Sequence, residues 1–237
     1  MAMDINLGCS GWVYGLSVLS SLMQTGNIKK AILLAGDARK QAKEELDQLF
    51  GYACTATALE YSKEAKPFYF DLGTDGTGYD AIIRPGGGCR NQFNEDSLKL
   101  ELCEDGRKRH AIQTRMKGMD VFAFGITTAP KSIKKLTANY EMDYTSFDYV
   151  ILHQANYKMT ETIRKKLKLD AEKMPYSMLH FGNTSSASIP LTIVTQLKGK
   201  IEDKPTKIIG CAFGVGLSWG TVAFETEHLL ISELVEV

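Results

Sequence analysis

The sequence predicts a layered α/β fold, and three observations carry that prediction. Short, wholly apolar runs, Ala31–Ala35 and Tyr149–Leu152, alternate with stretches whose apolar residues recur at helical intervals. Glycine, serine and asparagine cluster where the runs and helices meet, as at Gly8–Gly11 and Gly182–Ser186. One order of parts also occurs twice: turn, helix, short apolar strand and second strand run from Cys9 to Tyr61 and again from Asn183 to Glu225. Two copies of such a unit pack as two sheets or one mixed sheet, with helices between or outside.

Composition bounds the class. At 237 residues the chain is long enough for a substantial core, in one large domain or two small ones. Apolar residues make up 44% and charged residues 24%, an ordinary globular balance rather than a disordered or fibrous one. Lys+Arg and Asp+Glu both total 28, so no global charge draws the chain to nucleic acid or a membrane surface. Its five cysteines are scattered without a Cys-x-x-Cys pair or metal-ligand spacing, which predicts free thiols, no metal and a cytoplasmic setting. The longest apolar run is about five residues, against the ~20 that a membrane helix needs.

In chain order, Asp4–Leu7 reads as the end of a strand and Gly11–Met23 as a helix stopped by Thr25-Gly26-Asn27. Ala31–Ala35 reads as a buried parallel strand, being apolar on both faces. Arg39–Leu49 is polar and reads as a surface helix or loop; Cys54–Tyr61 is a second strand. Phe68–Phe70 begins an extended piece that leads into the glycine-rich stretch Gly73–Gly88. Leu98–Cys103 alternates apolar and polar residues like a half-buried strand. Lys117–Tyr140 has helical periodicity, with Pro130 as a kink or break. The strand Tyr149–Leu152 runs into His153, and a helix capped near Asn156 follows to Leu169. A helix over Ala187–Leu197 tolerates Pro190 near its start, and Lys207–Phe213 and Ser218–Glu225 are the last two strands.

Three junctions between a strand or turn and a helix carry reactive or polar side chains: Cys9, His153 and Asn183. Loops at strand ends are where α/β folds collect their sites. A cysteine, a histidine and an asparagine are a nucleophile, a proton handler or hydrogen-bond donor, and an orienting amide. Cys9 falls at a helix N-terminus, where the dipole favours an anion and a thiol ionises more readily. Each residue also has a plainer reading: a core thiol, a satisfied core histidine, and a turn that caps a helix.

Taken together, the motifs resemble those of the thiolase-fold condensing enzymes, most closely the 3-oxoacyl-acyl-carrier-protein synthase III family. Asp4-Ile5-Asn6-Leu7-Gly8-Cys9-Ser10-Gly11-Trp12 is similar to its nucleophile segment and His153-Gln154-Ala155-Asn156 to its histidine motif. Gly182-Asn183-Thr184-Ser185-Ser186-Ala187-Ser188-Ile189-Pro190 resembles its asparagine motif and Phe213-Gly214-Val215-Gly216 its closing glycine loop. The resemblance implies a thiolase-like layered fold, duplicated βαβαβ units with helices between and outside mixed sheets. Residues 1–115 would be the remainder of the N-terminal half with an insertion, and 116–237 the C-terminal half. It further implies acyl transfer to Cys9, then decarboxylative condensation with a malonyl group on acyl carrier protein. His153 and Asn183 would donate to the thioester oxygen, and the backbone N–H groups of Cys9 and Val215 would form the oxyanion hole. No cofactor is implied beyond the substrates acyl-CoA and malonyl-acyl carrier protein, and full-length members dimerise. Lys158, Arg164, Lys165 and Lys166 on the helix after His153, with Lys168, are a candidate dock for an acidic carrier protein; a solvated helix face is the alternative.

The chain departs from the family in two places. It starts just before the nucleophile, so the first part of the N-terminal unit is missing, and with it strands that Asp4–Leu7 would pair with. The expectation is a piece of a longer synthase, or a short protein completed by a separate chain. Phe50-Gly51-Tyr52-Ala53-Cys54-Thr55-Ala56 also stands where the family has a Gly-Asp-Gly-Ala-Gly-Ala pattern. Two other readings stay open: a non-catalytic or incomplete thiolase-fold subunit, and a related coenzyme A or polyketide-type condensing enzyme.

Overall fold

A computed structural model describes residues 1–37 and 49–236. The expected surface segment Arg39–Leu49 lies, except for Leu49, outside the described residues. Helix α1 (Gly11–Gln24) forms where Trp12, Val13, Leu16 and Met23 put one apolar face on a helical period. It stops at Thr25, after which Gly26 takes φ +80°. Strands β1 (Lys30–Gly36) and β2 (Cys54–Glu60) then pair antiparallel along their whole length.

A four-stranded mixed sheet forms the centre, in the order β3 (Tyr69–Thr74), β10 (Ser218–Thr226), β9 (Thr206–Gly214), β8 (Tyr149–Leu152). Only the β8–β9 pairing is parallel. On one face pack α2 (Gly118–Asn139) and α3 (Tyr157–Leu167), through Ile133, Leu136, Ile163 and Leu167 against Ile209 and Phe213. The other face meets α1 and α5 (Ser188–Thr192, continued by a π-helical turn over Ile193–Leu197). Trp12, Leu16, Ile189 and Leu197 fill that layer with Ile208, Ala212 and Val222. The β1–β2 ribbon closes it from beyond, through Leu33 and Ala35. The order is therefore helices, sheet, helices, ribbon, the layering expected with helices between and outside mixed sheets.

Between the ribbon and α2 the chain makes small excursions: β4 (Ile82–Ile83) pairs with β7 (Arg115–Met116), and β5 (Glu101–Leu102) with β6 (Lys108–Arg109). A one-turn helix, α4 (Met178–Phe181), precedes the Asn183 turn.

Four expectations are corrected. Asp4–Leu7 is not a strand, because no described strand lies beside it to supply a ladder. β1 is antiparallel and open on one side: Ile32 and Leu34 are 66% and 75% exposed, since among the described residues no layer covers that face. In Leu98–Cys103 only two residues pair, and Leu98, Leu100 and Leu102 point to solvent because none of the described residues packs over the small ribbon. Pro130 does not end α2, which runs on to Asn139. A proline frees the carbonyl four residues before it, and here Lys166 Nζ donates to that carbonyl of Ile126 at 2.9 Å.

Candidate active site

The site is assembled where the two helix–strand–strand units meet. Gly8 and Cys9 turn into α1, whose first turn starts at Gly11, so Cys9 stands just outside the helix beyond the N-cap residue Ser10. Ser10 does not cap the helix with its side chain; its hydroxyl lies 2.7 Å from that of Ser218 at the start of β10. The β9–β10 turn presses against the thiol. A Cβ on Gly214 would lie 2.7 Å from Cys9 Sγ and 2.8 Å from its Cβ, so only glycine allows that approach. The N–H groups of Val215 and of Cys9 itself face the sulfur.

The thiol does not ionise more readily, as its helix-end position predicts. Burial pushes its pKa up; the N–H groups of Val215 and Cys9 and the Ser185 side chain oppose that shift without cancelling it. The helix dipole falls off within a turn, and loss of hydration outweighs it here.

His153 continues β8: its N–H donates to Cys211 O at 2.8 Å. The ring is buried, with Nδ1 2.8 Å from Ser188 Oγ and Phe213 edge-on at 5.8 Å. Burial lowers its pKa to about 4, with the Ser185 backbone opposing, so the imidazole is neutral near pH 7. Asn183 is 6% exposed and pinned through its backbone, its N–H donating to Leu49 O at 2.8 Å and its carbonyl accepting from Gly51 N at 3.0 Å. Gly51 is required in that contact, because a Cβ would sit 1.8 Å from the Phe181 carbonyl oxygen. The unusual Phe50–Ala56 segment thus holds the Asn183 turn. Asn183 Oδ1 accepts from Ser185 N at 2.9 Å, which leaves its NH2 as the group able to donate elsewhere.

Ser185 is the common contact. It offers its side chain to Cys9, its N–H to Asn183 and its backbone to the His153 ring. It does so at φ +53°, a left-handed conformation that a non-glycine residue holds at a cost. No local pattern in the sequence marked Ser185 as such a hub. Gln154 was in view only as part of a motif; its Nε2 donates to Leu152 O at 2.7 Å and its Oε1 accepts from Ser177 N at 3.1 Å, tying the His153 loop to the start of α4.

The basic helix divides. Arg164 is engaged within the chain, forking onto Glu161 at 2.8 and 2.9 Å and donating to Leu169 O at 2.7 Å. Arg164 and then the Tyr176 hydroxyl hold the Glu161 carboxyl down at about 2. Lys166 serves the carbonyl freed by Pro130. Lys158, Lys165, Lys166 and Lys168 are all exposed, with Lys158 Nζ 5.9 Å from the centre of the Phe122 ring.

Known proteins resemble this chain along most of its length. The family model described as 3-oxoacyl-[acyl-carrier-protein (ACP)] synthase III matches residues 3–76, and that of its C-terminal part matches residues 137–226. A beta-ketoacyl-[acyl-carrier-protein] synthase III of Clostridium tetani is 31% identical over 227 residues, which are 92% of this chain and 66% of that protein. A namesake from Synechocystis is also 31% identical, over 92% of this chain and 65% of its own. The crystal structure of a 3-oxoacyl-(acyl-carrier protein) synthase from Burkholderia xenovorans LB400 superimposes with a TM-score of 0.88 at 34% identity, covering 100% of this chain and 67% of that one. The chain spans about two thirds of the length of the relatives it matches.

Proposed function

The chain belongs to the 3-oxoacyl-[acyl-carrier-protein] synthase III family, and from that premise we propose that its site serves a decarboxylating Claisen condensation in fatty-acid biosynthesis. Cys9 attacks an acyl-CoA thioester; the new bond is Cys9 S–acyl, coenzyme A leaves, and the thiol proton ends on the departing sulfur. A malonyl group on acyl carrier protein then binds. Its terminal C–C bond breaks, carbon dioxide leaves, and the electron pair passes into an enolate. His153 and Asn183 hold that enolate oxygen by donating hydrogen bonds, a role that suits a neutral imidazole and a fixed amide better than proton transfer. The carbanion attacks the acyl carbonyl. The N–H groups of Val215 and Cys9 receive the oxyanion, each worth roughly 3 kcal/mol at the transition state. Collapse expels Cys9 and gives a 3-oxoacyl-acyl carrier protein.

The observation that carries this reading is Ser185, which contacts Cys9, Asn183 and His153 at once. A chain using these residues only for packing has no need of that convergence at a left-handed serine.

The rest of the proposal follows the family. The halves divide at residues 115 and 116, the enzyme is a cytoplasmic homodimer, and its partner is acyl carrier protein. Docking falls to the exposed Lys158, Lys165 and Lys166, with Lys168 beside them, while Arg164, half-buried and forked onto Glu161, contributes least. Incubation with acyl-CoA followed by peptide mass mapping tests the first step. The expected result is an acyl increment on Cys9 that Cys9→Ala abolishes; an increment on Cys54, Cys89 or Cys103 instead would overturn it.

A further inference from the structure

Ser188 opens α5 and is 1% exposed, far from any surface where a serine hydroxyl is easily hydrated. Its Oγ lies 2.8 Å from His153 Nδ1, and among the described residues that nitrogen is the hydroxyl's one hydrogen-bond partner. A buried O–H must find an acceptor, because leaving its proton unpaired away from water is costly. A neutral imidazole has one nitrogen that accepts and one that donates. If Nδ1 donated to Ser188, the serine proton would be stranded. If Ser188 donates to Nδ1, both groups are satisfied and the ring proton is placed on Nε2. Phe213, edge-on to the same ring at 84°, fixes the plane in which Nε2 points.

We propose that Ser188 is a positioning residue that locks His153 in its Nε2–H tautomer, so that the ring presents a donor rather than a lone pair to the reacting thioester oxygen. The purpose of the lock rests on the condensing-enzyme reading above; the tautomer itself does not. With the opposite tautomer a lone pair would face the negative oxygen of an enolate, and the site would repel the species it has to hold.

Long-range 15N–1H spectra of 15N-histidine-labelled protein at neutral pH test this directly. Four histidines contribute signals, and His153→Gln identifies the one in question. The wild-type chain is expected to show His153 as a single Nε2–H form, Ser188→Ala to move it to the Nδ1–H form or a mixture, and Ser188→Thr to restore it. A wild-type Nδ1–H ring, or an unchanged Nε2–H ring in Ser188→Ala, would overturn the proposal. In kinetics Ser188→Ala should slow malonyl decarboxylation roughly 10–100-fold, the scale of losing a group that orients a histidine, and leave acylation of Cys9 within about twofold, since that step does not use His153. Equal loss of both steps would indicate a packing role and also overturn it. Protein that shows the Nε2–H ring and its Ser188 dependence yet accepts no acyl group would count against the condensing-enzyme reading alone.

Discussion

The units α1–β1–β2 and α5–β9–β10 repeat one order of parts in very different surroundings. In β9 the run Ile208–Phe213 is buried throughout, odd residues facing α2 and α3 and even residues facing α1 and α5. In β1 the equally apolar run Ala31–Ala35 is covered on one side only among the described residues. Its outer side chains, Ile32 and Leu34, stand opposite Ala58 and Ala56 of β2 and leave an apolar strip open to solvent. An apolar strand therefore states that two faces are fit to be covered; neighbours decide whether they are. Cys9 belongs to the open unit, yet Gly214, Val215 and Ser185 of the enclosed unit meet its sulfur.

If the enclosed unit sets the position of Cys9, Gly214→Ala is the severest way to break the arrangement. The new methyl needs the space occupied by Cys9 Sγ, and a shift of about 1 Å in a reacting atom costs on the order of 100-fold. Acyl-adduct formation should fall by at least that factor. Gly8→Ala should cost far less, because its Cβ would meet only the Val215 side chain at 3.3 Å, which can yield. Similar losses for both would mean that the turn is disturbed as a whole rather than by that one contact. The same comparison holds for stability. Ile209→Ala, in the enclosed strand, should cost about 2–5 kcal/mol, while Leu34→Ala, on the open face, should stay within about 0.5 kcal/mol; denaturant midpoints at equal slope measure both.

These pairs also show what was legible beforehand. Helices α1, α2 and α3 and strands β2, β9 and β10 could be read because apolar period, cap residues and glycine stops agreed locally, as at Asn156, which accepts from Met159 N at 2.9 Å. The direction and exposure of β1 could not, since a five-residue apolar run is the same string whether one layer or two cover it. Cys9, His153 and Asn183 were visible as residue types at junctions. The thiol's raised pKa was not, because burial depends on Gly214 more than 200 residues away. Ser185 and Ser188 were hidden for another reason: serines in a Gly-Asn-Thr-Ser turn are ordinary until their partners are known. Arg164 and Lys166 looked like a surface charge cluster, and only Glu161 and the carbonyl freed by Pro130 show what they hold.

The depth of His153 can be checked without substrate. Its pKa falls from 6.5 to about 4 on folding, through burial, so below pH 6.5 the unfolded chain binds a proton that the folded chain refuses. The contribution is complete above about pH 6.5 and is lost as pH falls toward 4, amounting to about 3 kcal/mol. Urea titrations across that window should lose about this much stability in wild type and distinctly less in His153→Gln. An unchanged slope in the variant would show that the ring is already hydrated, and that the enclosed unit is more open around its histidine than Phe213 and Ser188 make it.

The smallest effect concerns the hydrogen bond that joins the two units. Ser218 Oγ donates to Val215 O at 2.6 Å, so the 2.7 Å contact between Ser10 and Ser218 must carry the proton of Ser10. Ser10, the residue after Cys9, is thereby bonded, through one hydroxyl, to the carbonyl of Val215, whose N–H faces the thiol. Ser10→Ala removes one donor and should cost about 1 kcal/mol; Ser218→Ala strands both the Ser10 proton and the Val215 carbonyl and should cost about 2 kcal/mol. In a double-mutant cycle the two losses should fall short of additivity by about 1 kcal/mol. Strict additivity would mean that the units meet only by packing. Then Gly214 alone, rather than a bonded relay, would fix the distance between Cys9 and the Val215 N–H.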